Sequence, residues 1–112
     1  MTKRFTYPLP EGKSVIGVKD AICRYLETIP AKFQIEYQEA HWCILAAFTP
    51  RHEIGMKIRL YQQDDQLCVE ITPFTHKGHL LLLLPPLFHA YTAMISTHTH
   101  KIQTAVVEYL QS

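Results

Sequence analysis

Apolar side chains recur at helical spacing early in the chain. Val15, Val18, Ile22, Tyr25, Leu26 and Ile29 follow one another mostly at intervals of three and four, with Lys19, Arg24 and Glu27 on other sides. Residues 15–29 are therefore read as an amphipathic helix with one apolar face. Ser14 is its expected N-cap and Pro30 its stop. Upstream, Phe5-Thr6-Tyr7 reads as a short strand halted by the turn-forming Pro8-Leu9-Pro10-Glu11-Gly12.

After Pro30 the period changes to two. Phe33, Ile35 and Tyr37 alternate with Gln34, Glu36 and Gln38, the signature of a half-buried strand. Trp42 to Phe48 is nearly apolar on both sides, as a central strand or one with a second covered face would be. Met56, Ile58 and Leu60 alternate with Lys57, Arg59 and Tyr61, and Leu67, Val69 and Ile71 with Cys68, Glu70 and Thr72. This predicts antiparallel strands near 33–38, 41–48, 55–62 and 66–72. The polar Gln62–Gln66 and the segment from Thr49 to Ile54 are hairpin-sized, so a meander is expected.

Helical spacing returns at the end. Proline favours a first helical turn, so Pro85-Pro86 is expected to open a helix through Leu87, Tyr91, Met94 or Ile95, His98, Ile102, Ala105 and Tyr109. Continued to Leu110, it would be roughly 37 Å long at about 1.5 Å per residue. Ser96-Thr97-His98-Thr99-His100 has weak helix propensity. Either a break there or a long helix projecting past the sheet is expected. There is no repeat or linker, so residues 1–112 are read as one α+β domain: strand, helix, four-stranded antiparallel meander, helix.

That order resembles the TATA-binding-protein-like folds, and within them is most similar to kinase-associated-1 domains, with polo-box domains a more distant comparison. The similarity runs from about Val18 to Ile95. KDAICRYLETIPAKFQIEY resembles the family's first helix feeding its first strand, and GMKIRLYQQDDQLCVEITPF its third and fourth strands, before a C-terminal helix. The resemblance implies a docking or regulatory domain without catalysis. Several kinase-associated-1 domains bind anionic lipid through basic clusters. Here Lys57 and Arg59 are expected to share a face with Glu36 and Glu70, a departure from that pattern.

Composition narrows the function further. Apolar residues make up 47% and charged residues 19%, a globular balance, and the formal net charge is only +1. A nucleic-acid binder needs a clustered basic excess. The sheet face that would meet a nucleic acid holds two cations against two anions, with Tyr61 alone able to stack on a base. The three cysteines, Cys23, Cys43 and Cys68, are widely spaced and odd in number. They suit a reducing cytoplasm rather than a disulfide framework or a thiolate zinc site. MTKRFTYPLPEGK has no apolar stretch after its basic pair, which argues against a signal peptide. The apolar run from Leu80 to Phe88 is far short of the roughly twenty residues that span a bilayer. An integral membrane protein is not expected.

Candidate chemistry is sparse. His76, His79, His89, His98 and His100 cluster in the sequence, but His98 and His100 lie roughly 200° apart on a helix and no carboxylate stands near to orient them. His41 and Cys43 share a strand face about 7 Å apart, beyond a nucleophile–base hydrogen bond. Asp64-Asp65 belongs to a turn, where aspartate is favoured locally. No phosphate cradle, nucleophile elbow or zinc-protease motif is present. No catalytic residue, cofactor or metal is assigned.

The strongest functional signal is the charge-poor C-terminal third. From Leu80 to Ile95 ten residues are large and apolar, and none is Lys, Arg, Asp or Glu. Monomers rarely expose such a stretch. The expectation is a non-catalytic scaffold, adaptor or regulatory module that binds a protein partner or a second copy of itself through Leu83, Leu84, Leu87, Phe88, Tyr91 and Ile95. The alternatives are peripheral binding to anionic membrane lipid, or a small enzyme or carrier with an apolar pocket between sheet and C-terminal helix.

Overall fold

The structure, a computed structural model, describes residues 2–48, 54–75 and 85–112, without the side chains of residues 75, 85–88 and 91. Seven elements follow in order: β1 (Lys3–Pro8), α1 (Val15–Glu27), β2 (Ala31–Gln38), β3 (His41–Phe48), β4 (Ile54–Gln63), β5 (Gln66–Thr75) and α2 (Pro85–Gln111). The strands form one antiparallel sheet in the order β1-β5-β4-β3-β2. The expected meander is thus present, and the N-terminal strand adds a fifth member beside β5, where Phe5 sits opposite Val69.

The alternation read from the sequence sets the two faces. Ile44, Ala46, Met56, Ile58, Leu60, Leu67, Val69 and Ile71 point inward and are buried under both helices. Val18, Ile22 and Leu26 of α1 and Ile102 and Val106 of α2 meet them and are fully buried. Each such side chain contributes about 1.5–3 kcal/mol by leaving water. The opposite parity, including Arg4, Lys57, Arg59, Tyr61 and Glu70, forms an outer face that no helix covers among the described residues.

The helices are fixed by local chemistry. Ser14 caps α1: its hydroxyl accepts a hydrogen bond from the Gly17 amide at 3.1 Å. Gly17 is required where the helices cross, because a Cβ there would run into the Tyr109 ring. The Tyr109 hydroxyl accepts from the Ser14 amide at 3.3 Å, joining the end of α2 to the start of α1. α2 runs unbroken through Ser96–His100, so the long-helix expectation holds. Thr99 is buried, and His98 stacks on Phe48 at 4.4 Å and shares a 2.7 Å hydrogen bond with the Tyr25 hydroxyl. Packing there outweighs weak propensity.

Two hairpins close on two residues each. Gln63 pairs with Gln66 across Asp64-Asp65, and Gln38 with His41 across Glu39-Ala40. All four turn residues have positive φ, between 52° and 65°, as the type I′ turn that matches strand twist demands.

Candidate interaction surface

On the outer face the strands bring together a polar network that unites four of the five strands. Glu70 on β5 is 6% exposed and lies directly between its neighbours Arg4 and Arg59. Arg4 Nη2 donates to Glu70 Oε2 at 2.5 Å, Arg59 Nη1 to Oε1 at 3.0 Å, and the Tyr61 hydroxyl to Oε2 at 2.9 Å. Burial alone would push the Glu70 carboxyl up, but these donors and the two guanidinium charges hold it below the usual carboxylate value. The same contact, first through its hydrogen bond, pushes the Tyr61 phenol up.

Arg59 reaches further. Its Nη2 donates to His41 Nδ1 at 2.7 Å, so that ring carries its proton on Nε2. The His41 ring stacks on Tyr61, with centroids 4.5 Å apart and 17° between planes. Arg4, Glu70, Arg59, Tyr61 and His41 therefore tie β1, β5, β4 and β3 into one network. It stops one strand short of β2.

The histidines and cysteines fall as follows. His76 and His79 lie outside the described residues. His98 is half-buried, and burial, then the Lys101 charge, lowers its pKa from 6.5. His100 is exposed on the other side of α2. Among the described residues no three His, Cys, Asp or Glu side chains converge on one point. Cys23 is buried with the core, while Cys43 and Cys68 lie on the outer face, all as free thiols. Burial pushes the Cys23 and Cys43 thiols up, away from the thiolate a nucleophile needs.

Of the six residues expected at an interface, Leu83 and Leu84 lie outside the described residues. Leu87, Phe88 and Tyr91 lie on α2 with side chains outside them. Ile95 packs partly against the core and, with Ile71, Pro73 and Thr99, borders a hollow of about 320 Å³ between sheet and helix. A second hollow, of about 370 Å³, opens on the outer face, where Leu45, Ala47 and Phe74 face Lys32 and Gln34. A third, of about 370 Å³, lies beside the Glu39-Ala40 turn, between Ile16 and Tyr37.

Sequence reasoning did not single out the edge strand β2. Its inner-face Ile35 and Tyr37 are 41% and 58% exposed, and neighbouring Ile16 of α1 is 52% exposed. Tyr37 packs edge-on against Trp42 at 4.5 Å, and Lys19 sits 4.6 Å over the Trp42 ring. Lys32 and Glu36 on its outer face are exposed, and neither joins an ion pair with another described residue. The alternation of Phe33 to Gln38 marked the strand, but its place at an edge follows from the pairing of β1 with β5 rather than with β2. No protein-family model, curated protein or solved structure matches the chain.

Proposed function

We propose that this domain is a non-catalytic interaction module of the scaffold, adaptor or regulatory kind. It engages a protein partner, or a second copy of itself, through the apolar C-terminal third around Leu83, Leu84, Leu87, Phe88, Tyr91 and Ile95. The observation that carries this reading is the uncharged apolar stretch from Leu80 to Ile95. Among the described residues, α1, the three inner strands β3, β4 and β5, and the later turns of α2 supply the fully buried side chains of the core. Interface centres favour aromatic and methionine side chains with few charges. The element order supports the comparison with kinase-associated-1 and polo-box domains, which are docking modules.

Peripheral lipid binding is the weaker reading. Arg4 and Arg59 are both held by Glu70, and Lys57 shares its hollow with Glu36 and Glu39. Light scattering on the wild type and on Phe88→Glu tests the proposal. Association that Phe88→Glu abolishes, with the circular dichroism unchanged, supports it. A monomer at tens of micromolar that also recovers no partner defeats it. Co-sedimentation with anionic vesicles, lost on raising salt, would establish the lipid reading instead.

A further inference from the structure

The backbone of β2 has a defined outward side. Glu39-Ala40 is a two-residue turn, so Gln38 and His41 are a hydrogen-bonded pair. The alternation of an antiparallel ladder then gives Lys32, Gln34, Glu36 and Gln38 the bonds to β3. Phe33, Ile35 and Tyr37 aim their N–H and C=O groups at an edge that no strand among the described residues covers, and Ala31 adds its C=O, its N–H being bonded to the Ile29 carbonyl at 2.8 Å. An open edge strand is a template for another strand.

We infer that β2 pairs antiparallel with β2 of a second copy, about a two-fold axis at Gln34, making one ten-stranded sheet. This surface is separate from the C-terminal third and does not depend on it. Charge complementarity chooses the occupant and the register. In this pairing Lys32 stands opposite Glu36 of the second copy, and Glu36 opposite its Lys32, so both unpaired charges of each chain are matched on the outer face. On the inner face Phe33 meets Ile35, and the large Tyr37 meets the small Ala31. Phe33 and Ile35 then exchange both backbone bonds, while at Ala31 opposite Tyr37 the Ala31 C=O accepts from the Tyr37 N–H, the Ala31 N–H staying with the Ile29 carbonyl.

Other registers do worse. Centring on Ile35 puts Lys32 opposite Gln38 and Glu36 opposite Gln34, leaving all charges unmatched. Centring on Lys32 or Glu36 sets like charges directly opposite, which is destabilising. Centring between residues sets outward-aimed groups against inward-aimed ones and forms no ladder. The closed two-fold arrangement also ends growth of the sheet, since each chain offers this edge once.

Charge reversal tests the register. Lys32→Glu and Glu36→Lys each replace two attractive cross-strand pairs by two repulsive ones, and each should weaken self-association at least about tenfold. Mixed together, the two variants restore both attractive pairs and should form a one-to-one heterodimer. Sedimentation velocity on the full chain, with circular dichroism to confirm folding, reads both. Mild oxidation gives a second readout: at Gln34 the facing Cα atoms are about 4.5 Å apart, within disulfide reach. Gln34→Cys should give a linked dimer and Gln38→Cys should not. A wild type that stays monomeric at hundreds of micromolar overturns the inference. So do single reversals that dimerise like wild type, or a mixture that does not associate. If the reversals unfold, a Gln34→Cys chain that fails to link overturns it. Association through residues 80–95 would be indifferent to these reversals and sensitive to Phe88→Glu, which keeps the two surfaces distinct.

Discussion

The two edges of this sheet are built in opposite ways. β1 is six residues long, begins at Lys3-Arg4 and ends at Pro8. Its inner Phe5 and Tyr7 pack against the core, and the Tyr7 hydroxyl accepts a hydrogen bond from Gln103 of α2 at 2.9 Å. Arg4 is held by Glu70, and the Leu9 amide donates to the Asp65 carbonyl, so the chain leaving β1 is fastened to the neighbouring turn. Short length, basic residues and proline are the usual means of blunting an edge. β2 has eight residues without proline, two exposed apolar side chains and two charges with no ion-pair partner among the described residues. The helix layer and the outer network both fade before they reach it. Of the two edges, β2 is thus the one the described residues leave open to strand pairing.

Proline substitution should separate the two sides of β2 most sharply. Gln34→Pro removes an N–H that bonds to β3 and leaves a carbonyl there without its donor. It should cost about 2–4 kcal/mol and lower the denaturant midpoint accordingly. Ile35→Pro removes an N–H aimed at solvent, the one place a strand accepts proline. It should leave the monomer folded, with a loss below about 1.5 kcal/mol, while abolishing edge pairing. Equal losses at both positions would mean that the backbone alternation assigned to β2 is wrong.

At the protected edge the test is Glu70→Gln. It keeps the size of the side chain but removes the charge that binds Arg4 and Arg59. Both guanidinium groups can turn to water, so the expected loss at neutral pH is about 1–2 kcal/mol, seen as faster hydrogen exchange in β1. The pH dependence has a definite sign. The Glu70 pKa is lowered on folding, so its stabilisation is full above the ordinary carboxylate value and is lost as pH falls through the lower folded value. Wild type should therefore lose stability in acid more steeply than Glu70→Gln.

Much of this architecture was legible from side-chain period alone. The switch from helical spacing to alternation located α1 and the four later strands, and the same alternation put Lys57, Arg59, Tyr61 and Glu70 on one face. What it could not contain was pairing between distant segments. Nothing near Phe5 specifies β5 as its neighbour, so neither the closed edge nor the entry of Arg4 into the Glu70 network could be read. Glu39-Ala40 carries none of the Asn or Gly that announces a type I′ turn. The burial of His98 likewise depends on Tyr25 and Phe48, 73 and 50 residues away in sequence.

His98 marks how far the helical cover extends, since it stacks on Phe48 of β3, the strand next to the bare edge. Its imidazole is harder to protonate in the fold than in the unfolded chain, first because it is buried. Stability is then full above the unfolded value near 6.5 and falls as pH drops below it. Water partly screens this half-buried ring, so the fall should stay below about 1 kcal/mol. His98→Phe keeps the stack and removes the charge. Thermal unfolding of that variant should be flatter than wild type between pH 7 and pH 5.5, and an unchanged slope would assign the effect to another histidine.

The smallest effect lies in the turn that sets the alternation of β2. Ala40 is held at φ 65°, a region that an L residue with a Cβ enters at a cost of about 1–2 kcal/mol. Glycine enters it freely but surrenders about 0.5–1 kcal/mol more backbone entropy on folding. The balance for Ala40→Gly is a gain of about 0.5 kcal/mol, a rise of roughly 2–4 °C in Tm for a domain of this size. Asp64 and Asp65 adopt the same geometry at the other hairpin, with φ 52° and 64°. Aspartate tolerates that region through local hydrogen bonds, so Asp65→Gly should gain less. Because Ala40→Gly leaves Lys32 through Tyr37 unaltered, it should stabilise the monomer without changing the dissociation constant of edge pairing by more than about twofold. A larger shift would mean that the turn also sets the position of the strand that pairs.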